Sequence, residues 1–95
     1  MKLEIKPSFL ASALDQELPV RKGIKKALRI LGELSYPERL AHQGVHLEKI
    51  VGLETPEGDP QHTFRATHAA RGIAALRGDT LILLYIEADH DKVYR

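Results

Sequence analysis

After Arg77-Gly78-Asp79-Thr80 the chain runs through six apolar residues in succession, Leu81-Ile82-Leu83-Leu84-Tyr85-Ile86. The tetrapeptide is good hairpin-turn sequence, with a glycine free to take left-handed backbone and an aspartate able to bond its own turn. A short unbroken apolar run beside a turn reads as a central strand, because only a strand covered on both faces hides every side chain. Strands are therefore expected over 61–67, 70–77 and 80–88.

The first half has a different period. Leu3 and Ile5 alternate with charged residues and suggest a short opening strand. Pro7-Ser8 punctuates the chain, and Ser8 is a plausible N-cap for a short helix running to about Gln16. Pro19 suits the start of a second helix, where its missing N–H is not needed. In that helix, expected to about Leu34, Val20, Ile24, Ala27, Leu28, Leu31 and Leu34 recur as one apolar stripe. Tyr36-Pro37 is expected to end it, since the residue before proline is biased away from helix. A strand or turn is expected within 45–51 and an exposed loop over 53–60. The order β, α, α and then a run of β predicts an α+β domain: two N-terminal helices packed on a small twisted antiparallel sheet.

The 95 residues suit one domain spanning 1–95, with a single modest core. Hydrophobic content of 43% and charged content of 28% fit a globular chain. The absence of cysteine removes disulfides and thiolate metal sites from consideration and fits a cytoplasmic protein. The N-terminus shows no apolar signal core, and the longest apolar run is far too short to span a bilayer, so no membrane partner is expected. Net charge is only +1, but residues 1–49 hold nine Lys/Arg against six Asp/Glu, whereas residues 50–95 hold five against seven. The basic excess is concentrated in Arg21, Lys22, Lys25, Lys26 and Arg29, beside the apolar stripe of the second helix. Such a stripe is either a solvated helix face or a surface for nucleic-acid backbone.

Several residues could carry chemistry. Arg65 and Arg71 flank a stretch of small residues, and a tight connection would bring their guanidiniums together. A planar guanidinium can bind two phosphate oxygens at once; the plain alternative is a pair of solvent-facing arginines. His90 and Tyr94 near the C-terminus could move a proton and orient a phosphate or stack on a base. Asp91 could orient His90. His42 and His46 would share a face if helical and could bind a metal, although Gly44 weakens such a helix. Glu87, Asp89 and Asp91 could attract a hard cation or simply be solvated. His62 and His68 flank the Arg65 strand as weaker catalytic candidates.

Taken in order, these segments resemble the RelE/ParE superfamily of bacterial type II toxins. The resemblance runs from Pro7-Ser8-Phe9 and Leu18-Pro19, through Gly44 to Gly52, to Phe64-Arg65 and Ala70-Arg71-Gly72-Ile73. It ends on His90-Asp91-Lys92-Val93-Tyr94-Arg95. It implies a toxin held inactive by a cognate antitoxin protein and meeting DNA only through that complex. RelE-like members cleave mRNA, usually on the ribosome; ParE-like members poison DNA gyrase and cut no RNA; a non-catalytic relic would only bind its antitoxin.

The site residues favour a metal-independent endoribonuclease (an mRNA interferase) that inhibits translation and needs no cofactor. On that reading Arg65 and Arg71 hold the phosphate, His90 is the general acid or base supported by Asp91, and Tyr94 orients the phosphate or stacks on a base. Arg21, Lys22, Lys25, Lys26 and Arg29 would lie against ribosomal RNA. The chain departs from the family in its low net charge and in Thr63-Phe64 before the first arginine. Glu48 does not align with the glutamate that some members use, and it takes no role from the resemblance.

Overall fold

The computed structural model describes residues 2–88. Its elements are β1 (Lys2–Ile5), α1 (Pro7–Leu14), α2 (Leu18–Glu33), α3 (Tyr36–Ala41), β2 (Glu48–Glu54), β3 (Pro60–Arg65), β4 (Arg71–Arg77) and β5 (Thr80–Glu87). The five strands form one sheet in the order β1-β5-β4-β3-β2. Strands β2 to β5 pair antiparallel, whereas β1 lies parallel to β5. The architecture is α+β as expected, but the sheet is mixed. The run Leu81–Ile86 sits between two neighbours, which explains why Leu81, Ile82, Leu83 and Ile86 are all buried.

The apolar stripe of α2 does what its spacing predicts. Ile24, Ala27 and Leu31 are buried, with Val20 and Leu28 packed against the same core. Phe9 of α1 and Phe64 of β3 meet ring to ring at 6.5 Å. Helices and sheet thus close on one face, through Phe64, Ala74, Leu81 and Leu83.

Helix α1 differs from expectation at its start. Lys6, not Ser8, is the N-cap, and Pro7 opens the helix. Ser8 has other work. The pairing of Ile73 with Tyr85 and of Ala74 with Leu83 leaves Leu84 out of register as a β-bulge. The Ser8 hydroxyl donates to the freed Leu84 carbonyl at 2.6 Å, and Ser12 accepts from the Ile86 N–H at 2.8 Å. Two serines therefore latch α1 to the irregular part of β5.

Tyr36-Pro37 does not lead into irregular chain. It opens α3, with Ser35 as N-cap, a reciprocal Ser35–Glu38 capping box and Pro37 in the first turn. The backbone and side chain of Ser35 both bond the Glu38 carboxylate and hold its pKa below the usual value. The signal was present as Ser-x-x-Glu, but the proline reads equally as a stop to the preceding helix.

Among the described residues no helix is long and apolar enough to cross a membrane.

Candidate active site

Strand β3 ends and β4 begins with an arginine, and the two are direct partners: Arg65 lies opposite Arg71. The connection between them is tight. Ala66 and Thr67 both donate backbone N–H groups to the Ala70 carbonyl, and the Thr67 hydroxyl accepts from the Ala70 N–H. The small residues therefore do bring the arginines together, as the sequence predicts. Arg71 is in turn paired with Glu87 across β4 and β5. Side chains alternate between the faces of a strand, and Phe64 and Gly72, paired one residue inward, face the helices. Arg65 and Arg71 alternate with them at the strand ends, where Arg65 also lines a cleft shared with α2.

Like charges placed directly opposite each other on a sheet repel. Arg71 also lies opposite Glu87, whose charge is of the other sign. The buried Nε atoms of Arg65 and Arg71 have no hydrogen-bond partner, and among the described residues neither arginine makes an ion pair. Buried unsatisfied donors are rare, and a planar guanidinium is suited to binding anions.

Gly72 makes this arrangement possible. A Cβ built there would fall 2.1 Å from the Phe64 ring, so the ring lies flat over the glycine and seals the helix side beneath the arginines. Gly23 does the same for α2, where a Cβ would meet Thr67 and the Ala66 carbonyl at about 2.4 to 2.5 Å. This close approach brings Lys26 of α2 alongside Arg65 and His68, around a cleft of about 220 Å³. Lys26 also lines a neighbouring groove of about 440 Å³ with Lys22, Lys25 and Arg29. The basic helix face and the arginine strand end thus share one residue. Arg21 does not join that groove. It lines an apolar channel between α1 and α2 with Phe9, Leu10, Leu14 and Leu28, which separates it from the other four expected contacts except Lys25.

The histidines fall into distinct roles. His62 alternates with Arg65's face and is fully buried on the helix side. Its Nδ1 faces the Pro60 carbonyl at 3.2 Å and so carries the proton, leaving Nε2 to accept from the Tyr36 hydroxyl at 2.7 Å. Burial pushes its pKa down, opposed by the Pro60 bond and assisted by Lys49. It is a structural histidine, not a catalytic one. His68 is exposed in the β3–β4 turn beside Lys26.

His42 and His46 do not share a helix face. His42 caps α3, and its Nδ1 accepts the backbone N–H groups of Gly44 and Val45 at 3.0 and 3.2 Å. The ring is thereby occupied in folding the turn. His46 closes that turn through its N–H to the His42 carbonyl at 2.8 Å and takes φ +49°. Its Nε2 bonds the Glu48 carboxylate. Glu48 pairs with Thr63, two residues before Arg65, which puts Glu48 on the face of β3 that Arg65 shares, and its bond to His46 holds that ring beside it. The sequence signal was His-x-Glu at the start of a strand, a spacing that puts both side chains on one side. Among the described residues no cluster of three or more His, Asp or Glu could hold a metal. His90, Asp91 and Tyr94 lie outside the described residues, as does Asp89.

No protein-family model matches this sequence, and no curated protein matches it. Solved structures do. The RelB–RelE antitoxin–toxin complex from Methanococcus jannaschii aligns with TM-score 0.67 at 15% identity, over 96% of this chain and 94% of that one. The RelE–RelB complex from Pyrococcus horikoshii OT3 aligns with TM-score 0.66 at 13% identity, over 92% of each chain. The YoeB dimer from Staphylococcus aureus aligns with TM-score 0.51 at 13% identity, over 90% of this chain and 92% of that one. The TM-scores and near-complete coverage show that the chain has the fold of the RelE-like toxins.

Proposed function

We propose that this protein is the toxin of a type II toxin–antitoxin pair and a metal-independent endoribonuclease that cleaves mRNA on the ribosome. The observation that carries this reading is the direct pairing of Arg65 with Arg71, each with a buried Nε that nothing in the described chain satisfies. Two of the structural relatives are toxins in complex with an antitoxin, which supports a protein partner that neutralises this chain. The fold alone hosts more than one activity, so the site has to argue the chemistry.

In RNA cleavage the 2′-hydroxyl loses its proton and attacks the adjacent phosphorus, and the 5′-oxygen leaves. Negative charge builds on the phosphoryl oxygens. Two guanidiniums fixed on neighbouring strands are preorganised for that charge, and such donors are worth about 10²- to 10³-fold in rate each. The β3–β4 turn and the Phe64–Gly72 contact hold the strand ends from which Arg65 and Arg71 project. Lys22, Lys25, Lys26 and Arg29 offer the phosphate backbone a path to that point, with Lys26 at the junction. On this reading His90 serves as general acid or base with Asp91 behind it, and Tyr94 orients the phosphate or stacks on a base.

The test is to map mRNA 5′ ends after brief induction without antitoxin, with Arg71→Ala as control. New ends within translated frames that vanish in the variant support the reading. Growth arrest without new ends points instead to a gyrase inhibitor, and no arrest points to a binding relic.

A further inference from the structure

We infer that His46 is the base that activates the RNA 2′-hydroxyl, and that Glu48 is its positioning residue; this rests on the nuclease reading above. Three observations converge on the pair. First, His46 holds φ +49°, a backbone region uncommon for any residue but glycine and enriched at functional sites. The His42 ring and the His42 carbonyl, bonding the N–H groups of Gly44, Val45 and His46, impose that turn. Second, His46 Nε2 bonds the Glu48 carboxylate. A carboxylate only accepts, so Nε2 carries the hydrogen and Nδ1 of the neutral ring carries the lone pair. Among the described residues no partner bonds that Nδ1. This is how a carboxylate sets the tautomer of a catalytic imidazole.

Third, the register brings the pair to the arginines. Glu48 is opposite Thr63, and Arg65 is the next residue on that face of β3. Diagonal neighbours of this kind have backbones roughly 7–8 Å apart. The Arg65 N–H also bonds the Val45 carbonyl at 2.6 Å, so the residue before His46 is held against the first arginine. Both side chains are about half exposed, 47% for His46 and 51% for Glu48, so substrate can reach them.

The step balances as follows. The 2′-hydroxyl gives its proton to His46 Nδ1, and the 2′-oxygen forms a bond to phosphorus. The bond from phosphorus to the 5′-oxygen breaks, with its electron pair leaving on that oxygen, which takes a proton from water. The imidazolium then returns its proton to the hydroxide so formed. The products are a 2′,3′-cyclic phosphate and a 5′-hydroxyl. The substrate must therefore be RNA, because DNA has no 2′-hydroxyl to activate.

The deciding experiment measures single-turnover cleavage of ribosome-bound mRNA by the full chain, with and without added imidazole. His46→Asn removes the imidazole, and asparagine tolerates left-handed backbone. It is expected to lower the cleavage rate about 10²- to 10⁴-fold with apparent affinity unchanged, and added imidazole is expected to restore part of the rate. Glu48→Gln is expected to lower the rate less and to gain nothing from imidazole. His46→Gly, which fits the turn without strain, is the second variant should the first lose its fold by circular dichroism. A His46 variant that cleaves at the parent rate overturns the inference and leaves the nuclease intact. A parent chain that cuts no RNA, while Arg71→Ala remains indistinguishable from it, overturns both.

Discussion

Arg65 and Arg71 face each other across β3 and β4 as direct partners, and the buried Nε of each lacks a hydrogen-bond acceptor. On its other side Arg71 lies opposite Glu87, and a favourable cross-strand charge pair of that kind contributes about 0.2–1 kcal/mol, which offsets the repulsion from Arg65. Arg71→Ala is therefore expected to move the urea midpoint little, since it removes one unfavourable and one favourable cross-strand neighbour. The same variant is expected to lose about 10²- to 10³-fold in RNA cleavage, as removal of one preorganised donor does elsewhere. A variant that is fully active would remove the case for an anion site here.

The Phe64–Gly72 contact gives a second test, independent of function. A methyl group at residue 72 would fall 2.1 to 2.7 Å from three atoms of the Phe64 ring, and Phe64 is fully buried. Gly72→Ala is expected to cost about 1–3 kcal/mol by overpacking. Gly32 near the end of α2 is the contrast, since a methyl there meets only Leu3 Cδ1 at 3.9 Å. Gly32→Ala is expected to gain about 0.4–1 kcal/mol through the unfolded state. Urea denaturation of the two variants should move the midpoint in opposite directions.

His62 makes stability depend on pH. Its folded pKa lies below the ordinary histidine value because burial disfavours the charged ring. The unfolded chain therefore binds the proton more readily over that interval, and stability rises with pH. The contribution is fully present above about 6.5, the unfolded value, and is lost progressively as pH falls below it toward the folded pKa. His62→Gln is expected to flatten this part of the profile of melting temperature against pH. Tyr36→Phe leaves Nε2 buried without its donor and is expected to destabilise by roughly 1–3 kcal/mol at neutral pH.

The division of the basic stripe predicts how RNA affinity responds to salt. Lys22, Lys25, Lys26 and Arg29 line one groove, whereas Arg21 lines an apolar channel that shares only Lys25 with it. Each lost phosphate contact is expected to reduce the slope of log affinity against log salt by about 0.7 to 0.9. Replacing the four groove residues by glutamine should flatten that slope in filter-binding titrations. Arg21→Gln should leave it unchanged, and an equal effect from Arg21 would sink the groove as the RNA path.

Much of the fold was decided by local sequence. The period of Ile24, Ala27 and Leu31 fixes which side of α2 meets the core. The Arg77–Thr80 turn and the unbroken run after it place β5 in the sheet interior, with Gly78 at φ +58° in the turn. The small residues between Arg65 and Arg71 bring those two together, because a five-residue connection leaves the strands nowhere else to pair. These features were legible because each depends on neighbours a few residues away.

What the sequence could not decide depends on distant partners. That β1 runs parallel to β5 follows from hydrogen bonds of Lys2 to Asp79 and of Lys6 to Leu83, nearly eighty residues apart. Whether Ser8 caps a helix or bonds the Leu84 carbonyl was settled by the β5 bulge. Whether Pro37 stops one helix or starts another was settled by Ser35 closing its box with Glu38. Nothing local to His46 or His62 tells their roles apart, yet the fold buries His62 against Tyr36 and sets His46 on Glu48. Local pattern chooses the elements; only their register across the sheet chooses which polar side chains share a face.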